Sequence, residues 1–264
     1  LIYLIIFIGL RFQVGGDWFQ YEDIFRLTIE RNIIFDVKND VIFTLLVRLI
    51  AIIGQDIVVL NLILALIFVY SINYFIDKET DWFLVYVTII PIYIIIIGMG
   101  FIRQASAIAF FLLSTKLMFN NSFIRSGLFF IFSLGFHKTI LPYGIIYFLS
   151  IKNIYQFFLI SLTLIASFIL FYDNFIRLLY YYAGEGVHFI SFGSIQRLGI
   201  IFLFATIFIV FQKKLINNDN ERRVILTLSI IVLIITPFVF FYSSAIDRLA
   251  FYAIPVQIFC IMRS

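Results

Sequence analysis

Apolar residues in this chain come in long blocks rather than at alternating positions. Several blocks approach the roughly 20 residues that a helix needs to cross a bilayer. Residues 57–76, 82–97, 105–119, 155–172, 198–211, 224–242 and 249–262 are expected to span. Residues 41–54 are apolar but short and carry Arg48, which suits an interfacial or re-entrant helix. Residues 127–150 are interrupted by Gly135-Phe136-His137-Lys138 and by Pro142, so two half-length or bent helices meeting at a polar break are expected there. Residues 11–40 are rich in Asp and Glu and too polar to lie in hydrocarbon. The expected fold is all-α, a polytopic transmembrane helical bundle with short re-entrant or interfacial helices at its outer face. It forms a single transmembrane domain over 1–264, with no internal repeat. Residues 1–10 read as the outer half of a helix and 249–262 as a span slightly too short, so the chain is expected to be a fragment of a larger protein.

Composition agrees with this pattern. The chain is 63% hydrophobic and 13% charged, with a mean hydropathy of +1.10, more apolar surface than one soluble core of this size can hide. The net charge of +4 would suggest nucleic acid in a soluble protein. Here the basic residues sit at the ends of apolar blocks, where topology and lipid headgroups account for them, so membrane lipid is the expected partner and nucleic acid is not. The single cysteine, Cys260, lies inside an apolar block and the two histidines are far apart. No disulfide framework, metal site or cofactor is expected.

With residues 11–40 outside, the alternation of spans puts Lys78, Lys116, Arg125, Lys152, Lys213, Lys214, Arg222, Arg223 and Arg263 in the cytoplasm, as the positive-inside rule requires. It leaves Arg11, Arg103, Lys138, Arg177, Arg197 and Arg248 at or near the outer ends of different helices, which the rule does not explain. Most lysines fall inside and most arginines outside, and guanidinium is the group that grips phosphate through two parallel hydrogen bonds. The outer arginines therefore point to a phosphate or pyrophosphate ligand. The alternative for each is to snorkel to headgroups or to pair with an acid such as Asp17, Asp173 or Asp247.

The polar loop Arg11-Phe12-Gln13-Val14-Gly15-Gly16-Asp17-Trp18-Phe19-Gln20-Tyr21 joins a basic helix end, two glycines that permit a tight turn, an acid and aromatics. Such a loop can line a sugar-binding mouth. The same topology brings Gly98-Met99-Gly100-Phe101-Ile102-Arg103-Gln104 and Gly135-Phe136-His137 to the same outer face.

An Arg-x-x-Val-Gly-x-Asp-x-x-x-Tyr loop after the first helix, an Arg-Gln opening a later helix and a Phe-His at a helix break resemble the EpsG-type branch of the Wzy polysaccharide polymerases. The resemblance runs from Arg11 to about Ser150, and is looser at Arg197 and Arg248. It implies a GT-C-like membrane glycosyltransferase of O-antigen, capsule or exopolysaccharide synthesis. Such an enzyme sits in the bacterial cytoplasmic (inner) membrane with its active site toward the periplasm or cell exterior. It further implies an undecaprenyl-pyrophosphate-linked oligosaccharide as substrate and a chain-length regulator as partner.

In that chemistry a hydroxyl of a lipid-linked repeat unit attacks the anomeric carbon of the growing glycan and expels undecaprenyl pyrophosphate. Arg103, Arg197 and Arg248, with Arg11 as a fourth, are the candidates to stabilise the leaving group, and guanidinium groups can do this without a metal ion. His137 is the candidate base, kept neutral by Lys138 and nearby arginines, and the alternative is a histidine that bonds a broken helix end. Asp17 is the second candidate base, or an acid that orients an arginine. Tyr21, Lys138 and Arg177 are candidate sugar contacts. His188 ranks lower as loop, and Tyr180-Tyr181-Tyr182 fits an interfacial aromatic belt better than a sugar platform. Three other classes share parts of this pattern. An O-antigen ligase would use the same arginines and histidine with a lipid A core acceptor. A flippase or transporter of lipid-linked oligosaccharide should show matched inverted halves, which this sequence lacks. A membrane acyltransferase would have less need of several outer arginines.

Overall fold

A computed structural model describes residues 1–15, 17–30, 40–76, 81–149, 191–216 and 218–263, with isolated positions 158, 161, 162, 165, 169, 172 and 176. Every regular element among the described residues is helical. The helical stretches Ile57–Phe75, Ile102–Phe119, Ser194–Leu215, Asp219–Phe240 and Ser243–Met262 are long and apolar enough to cross a membrane, which makes this a multi-pass membrane protein. Most of the span expected at 155–172 lies outside the described residues, as do Arg177, Asp173, Tyr180, Tyr181, Tyr182 and His188.

The described chain groups into two compact units, Leu1–Lys138 and Thr139–Ser264. In the first, α1 (Ile2–Gly9) packs on α4 (Ile57–Phe75), α4 on α6 (Ile102–Phe119), and α6 on α7 (Phe123–Phe136). Small residues and hydroxyls make these approaches close, as helix packing in lipid requires. A Cβ on Gly9 would lie 2.7 Å from Leu62. Between α6 and α7, Ser133 Oγ donates to the Ala107 carbonyl at 2.6 Å and Ser126 Oγ to that of Ser114 at 2.8 Å. Its own Arg103, Gln104, Ser106, Ser114, Thr115 and Lys116 give α6 the lowest mean hydropathy of the long helices, 1.2, and 72% of it is buried. A helix surrounded by protein need not be apolar toward lipid.

Acids cap two helix starts in this unit. Asp56 accepts from the amides of Val58 and Val59 at the head of α4, and Asp81 from those of Phe83 and Leu84 at the head of α5 (Trp82–Ile89). From Ile90 to Gly98 the helix begun as α5 continues as a π-helix, and the change of winding falls at Pro91, which cannot donate to the helical ladder. The chain then breaks at Phe101 before α6.

The polar region after α1 contains a helix of its own, α2 (Trp18–Glu30). Trp18, Tyr21 and Thr28 recur on one buried face of it. The short apolar block that follows is α3 (Val41–Ile52). Beyond α7, Lys138–Gly144 is a 3₁₀ segment containing Pro142, so the break expected in this region is present.

In the second unit, α8 (Ile145–Leu149) precedes α9 (Ser194–Leu215) and α10 (Asp219–Ile235), which ends in a 3₁₀ turn at Thr236–Phe240. Next come α11 (Ser243–Ala250), a 3₁₀ turn at Phe251–Ala253, and α12 (Ile254–Met262). Tyr143 Oη donates to the Leu249 carbonyl at 2.7 Å, and Tyr252 Oη lies 3.0 Å from Thr139 Oγ1. The last helical run starts at Ser243, not at 249, so Arg248 sits inside α11 rather than ahead of it. Asp247 and Arg248 look non-membranous in sequence, yet Asp247 is buried against α9, which lets the helix begin a turn and a half earlier.

Candidate functional site

The first unit draws together the three polar motifs. Arg11 leaves α1 and is buried, 4% exposed, with Nη1 donating to the Gly98 carbonyl at 2.7 Å and the guanidinium 5.8 Å from the centre of the Trp18 ring. This contact ties the 11–17 loop to the end of the π-helix, where a peptide carbonyl is left over for it. Gly15 adopts φ +101°, and a Cβ there would collide with the Met99 carbonyl oxygen, so backbone lies on backbone. Tyr21 Oη, one turn into α2, donates to Asp17 Oδ2 at 3.3 Å.

Arg103, in the first turn of α6, lies 5.3 Å over the Tyr21 ring and 5.8 Å over that of Phe43. Its Nη1 donates to Asp40 Oδ2 at 3.1 Å. His137, where α7 ends in extended backbone, has Nδ1 3.4 Å from the same oxygen. Both side chains are 16% exposed and that of Asp40 is 7% exposed, so a largely buried cation and imidazole, each keeping some contact with solvent, converge on one buried carboxylate. Gly135 favours this approach, because a Cβ there would lie 2.5 Å from the side chain of Ile42, two residues past Asp40 at the start of α3.

Burial pushes the Asp40 carboxyl up, but His137 first, then Arg103 and Lys138, outweigh it and hold the carboxyl below its ordinary value. Burial lowers the Arg11 guanidinium to about 10 despite Tyr21 and Asp17 nearby, and lifts the Tyr21 phenol to about 12. Arg11 Nε and Trp18 Nε1 are both buried without a hydrogen-bond acceptor. An incompletely neutralised cation with spare donors leaves the neighbourhood electropositive.

Arg197 makes the corresponding centre of the second unit. Gly193, at φ +75°, precedes α9, and in its first turn the Arg197 guanidinium forks onto Asp247 of α11, Nε donating to Oδ1 at 3.0 Å and Nη2 to Oδ2. Nη2 also donates to Ser191 Oγ at 2.8 Å and Nη1 to the Phe192 carbonyl at 3.0 Å, while Ser191 Oγ donates to Asp247 Oδ2 at 2.8 Å. The pairing with Asp247, one of the alternatives open from sequence, is what Arg197 adopts. Its donors are occupied by Asp247, Ser191 and the Phe192 carbonyl. Arg248, the next residue, is half-buried.

Of the candidates named from sequence, Arg11, Asp17, Tyr21, Arg103, His137 and Lys138 belong to the first unit, and Arg197 and Arg248 to the second. Arg177 lies outside the described residues. Asp40 escaped the sequence reading. Its one signal there was local, an acid immediately before an apolar helix, which reads as an ordinary N-cap.

The EpsG family model matches residues 1–264. No curated protein and no solved structure matches the chain.

Proposed function

As the chain belongs to the EpsG family, which is associated with exopolysaccharide biosynthesis, we propose that it is a membrane polysaccharide polymerase. It transfers a growing, lipid-pyrophosphate-linked glycan onto a lipid-linked repeat unit. The convergence of Arg103 and His137 on Asp40 carries this reading, because it sets a cation and a proton acceptor side by side, each reachable from solvent.

In the proposed reaction, the acceptor hydroxyl oxygen bonds to the anomeric carbon of the donor. The bond from that carbon to the pyrophosphate oxygen breaks, and lipid pyrophosphate leaves with the electron pair. The hydroxyl proton passes to His137 Nε2. Arg103 stabilises the charge that grows on the leaving oxygens. Arg11, too deep to touch a ligand, adds positive potential and holds the 11–17 loop on which Asp17 meets the sugar, while Tyr21, equally buried in α2, steadies Asp17 through its hydroxyl. Arg248 remains a proposed phosphate contact. Arg197, with its fork taken by Asp247, supports that role only through the residue beside its partner.

The test is a deletion strain complemented with single variants and examined for glycan chain length. Loss of a polymerase leaves one repeat unit on the lipid carrier, loss of a ligase leaves carrier-linked polymer, and loss of a flippase leaves neither outside. His137→Gln keeps a hydrogen-bonding side chain but has no base near neutral pH. It is expected to lose about 10²-fold to 10⁴-fold in polymerisation rate while still binding donor. Normal-length polymer from that variant would remove His137 as the base and leave Asp17 in its place.

A further inference from the structure

We propose that Asp40 is the positioning residue of this centre. It accepts a hydrogen bond from His137 Nδ1–H, fixes the imidazole with Nε2 turned away to take a proton, and holds Arg103 beside it. The inference rests on His137 being the base of the reaction above.

Asp40 stands at the N-cap of α3, where an aspartate normally turns its carboxylate back onto the first amides of the helix. Asp56 and Asp81 do so at the heads of α4 and α5. The Asp40 side chain makes no such bond. Its Oδ2 instead takes Arg103 Nη1 at 3.1 Å and lies 3.4 Å from His137 Nδ1, residues 63 and 97 positions away. Giving up the cap leaves the first amides of α3 without that acceptor and costs helix stability. Local helix stability therefore does not explain where this carboxylate points.

The surrounding packing serves the same contact. Gly135 lets α7 come close enough to Ile42 for the His137 ring to reach the start of α3, and Thr44 Oγ1 donates to the Asp40 carbonyl at 3.1 Å. Arg103 itself rests against the packed pair of Tyr21 and Phe43 rings, whose centroids are 5.9 Å apart. A carboxylate on one imidazole nitrogen sets the tautomer, places the lone pair on the other nitrogen, and stabilises the imidazolium that forms as the proton arrives. Because Arg103 shares the oxygen, the same carboxylate sets the spacing between base and phosphate-binding cation.

The experiment reads the tautomer directly. Full-length protein labelled with ¹⁵N-histidine is examined in nanodiscs at neutral pH, with the His137 signal assigned by its loss in His137→Gln. The Nδ1–H tautomer is expected in the wild type, whereas a free imidazole favours Nε2–H. Asp40→Asn is expected to lose that preference and to polymerise about 10²-fold to 10⁴-fold more slowly. Asp40→Glu, which keeps the carboxylate, should recover part of the rate. An Nε2–H tautomer in the wild type overturns the inference, as does an Asp40→Asn enzyme of normal rate. If Asp40→Asn fails to accumulate, the wild-type spectrum decides alone. Normal polymer from His137→Gln would instead sink the base assignment, whatever the tautomer, so the two ideas fail separately.

Discussion

A Cβ added to Gly135 would lie 2.5 Å from the side chain of Ile42, so any larger residue where α7 meets the start of α3 must displace that side chain. Two residues on, His137 depends on that approach to reach Asp40. Gly135→Leu should force the helices apart, costing about 1–3 kcal/mol of stability. It should also shorten the polymer through displacement of His137. Thermal unfolding of the detergent-solubilised protein, measured beside chain length, checks both. An unchanged melting temperature would mean that Ile42 can swing aside.

The Arg197–Asp247 pair is buried, with side chains 13% and 5% exposed, and removing one partner leaves an uncompensated charge. Arg197→Met and Asp247→Leu should each destabilise the protein by about 3–5 kcal/mol. The double variant should lose much less than the sum, because neither charge then remains unpaired. Strictly additive losses would show that the pair does not tie α9 to α11.

Arg103 and Arg248 separate recognition of phosphate from bulk charge. Lysine keeps the cation and loses the planar fork, so Arg103→Lys and Arg248→Lys should each slow polymerisation by roughly 30-fold to 1,000-fold, equivalent to about 2–4 kcal/mol in the transition state. Chain length at matched expression is the measurement. Near-normal polymer in both would reduce these residues to headgroup contacts.

Orientation is open to direct test through the lysine-rich loops. Reporter fusions at Asp77 and Asn218 should signal cytoplasmic, and those at Glu30 and Glu185 external. A cytoplasmic signal at Glu30 would put Asp17, Arg103 and His137 on the wrong side for an extracytoplasmic polymerase.

The last helical run shows how far local reading carries. Its apolar part was visible from residue 249, but the turn and a half holding Asp247 and Arg248 was not, because a buried ion pair makes charged residues compatible with a helix in apolar surroundings. The partner that neutralises Asp247 lies 50 residues away in sequence.

What the sequence by itself determined is everything carried by short stretches: the apolar blocks that become spans, the break at Gly135–Pro142, and the loop, Arg-Gln and Phe-His motifs by which the family is recognised. Hydropathy and short motifs are sums over neighbours in the chain, so they survive without knowledge of packing. Only the tertiary structure decided which acid meets which base. Asp40 reads as a helix cap from its neighbours, yet it serves Arg103 and His137, because α3, α6 and α7 pack so that one carboxylate is the nearest counter-charge to both. Such pairing depends on the closeness that Gly135 permits between helices distant in sequence, and no window along the chain contains both partners.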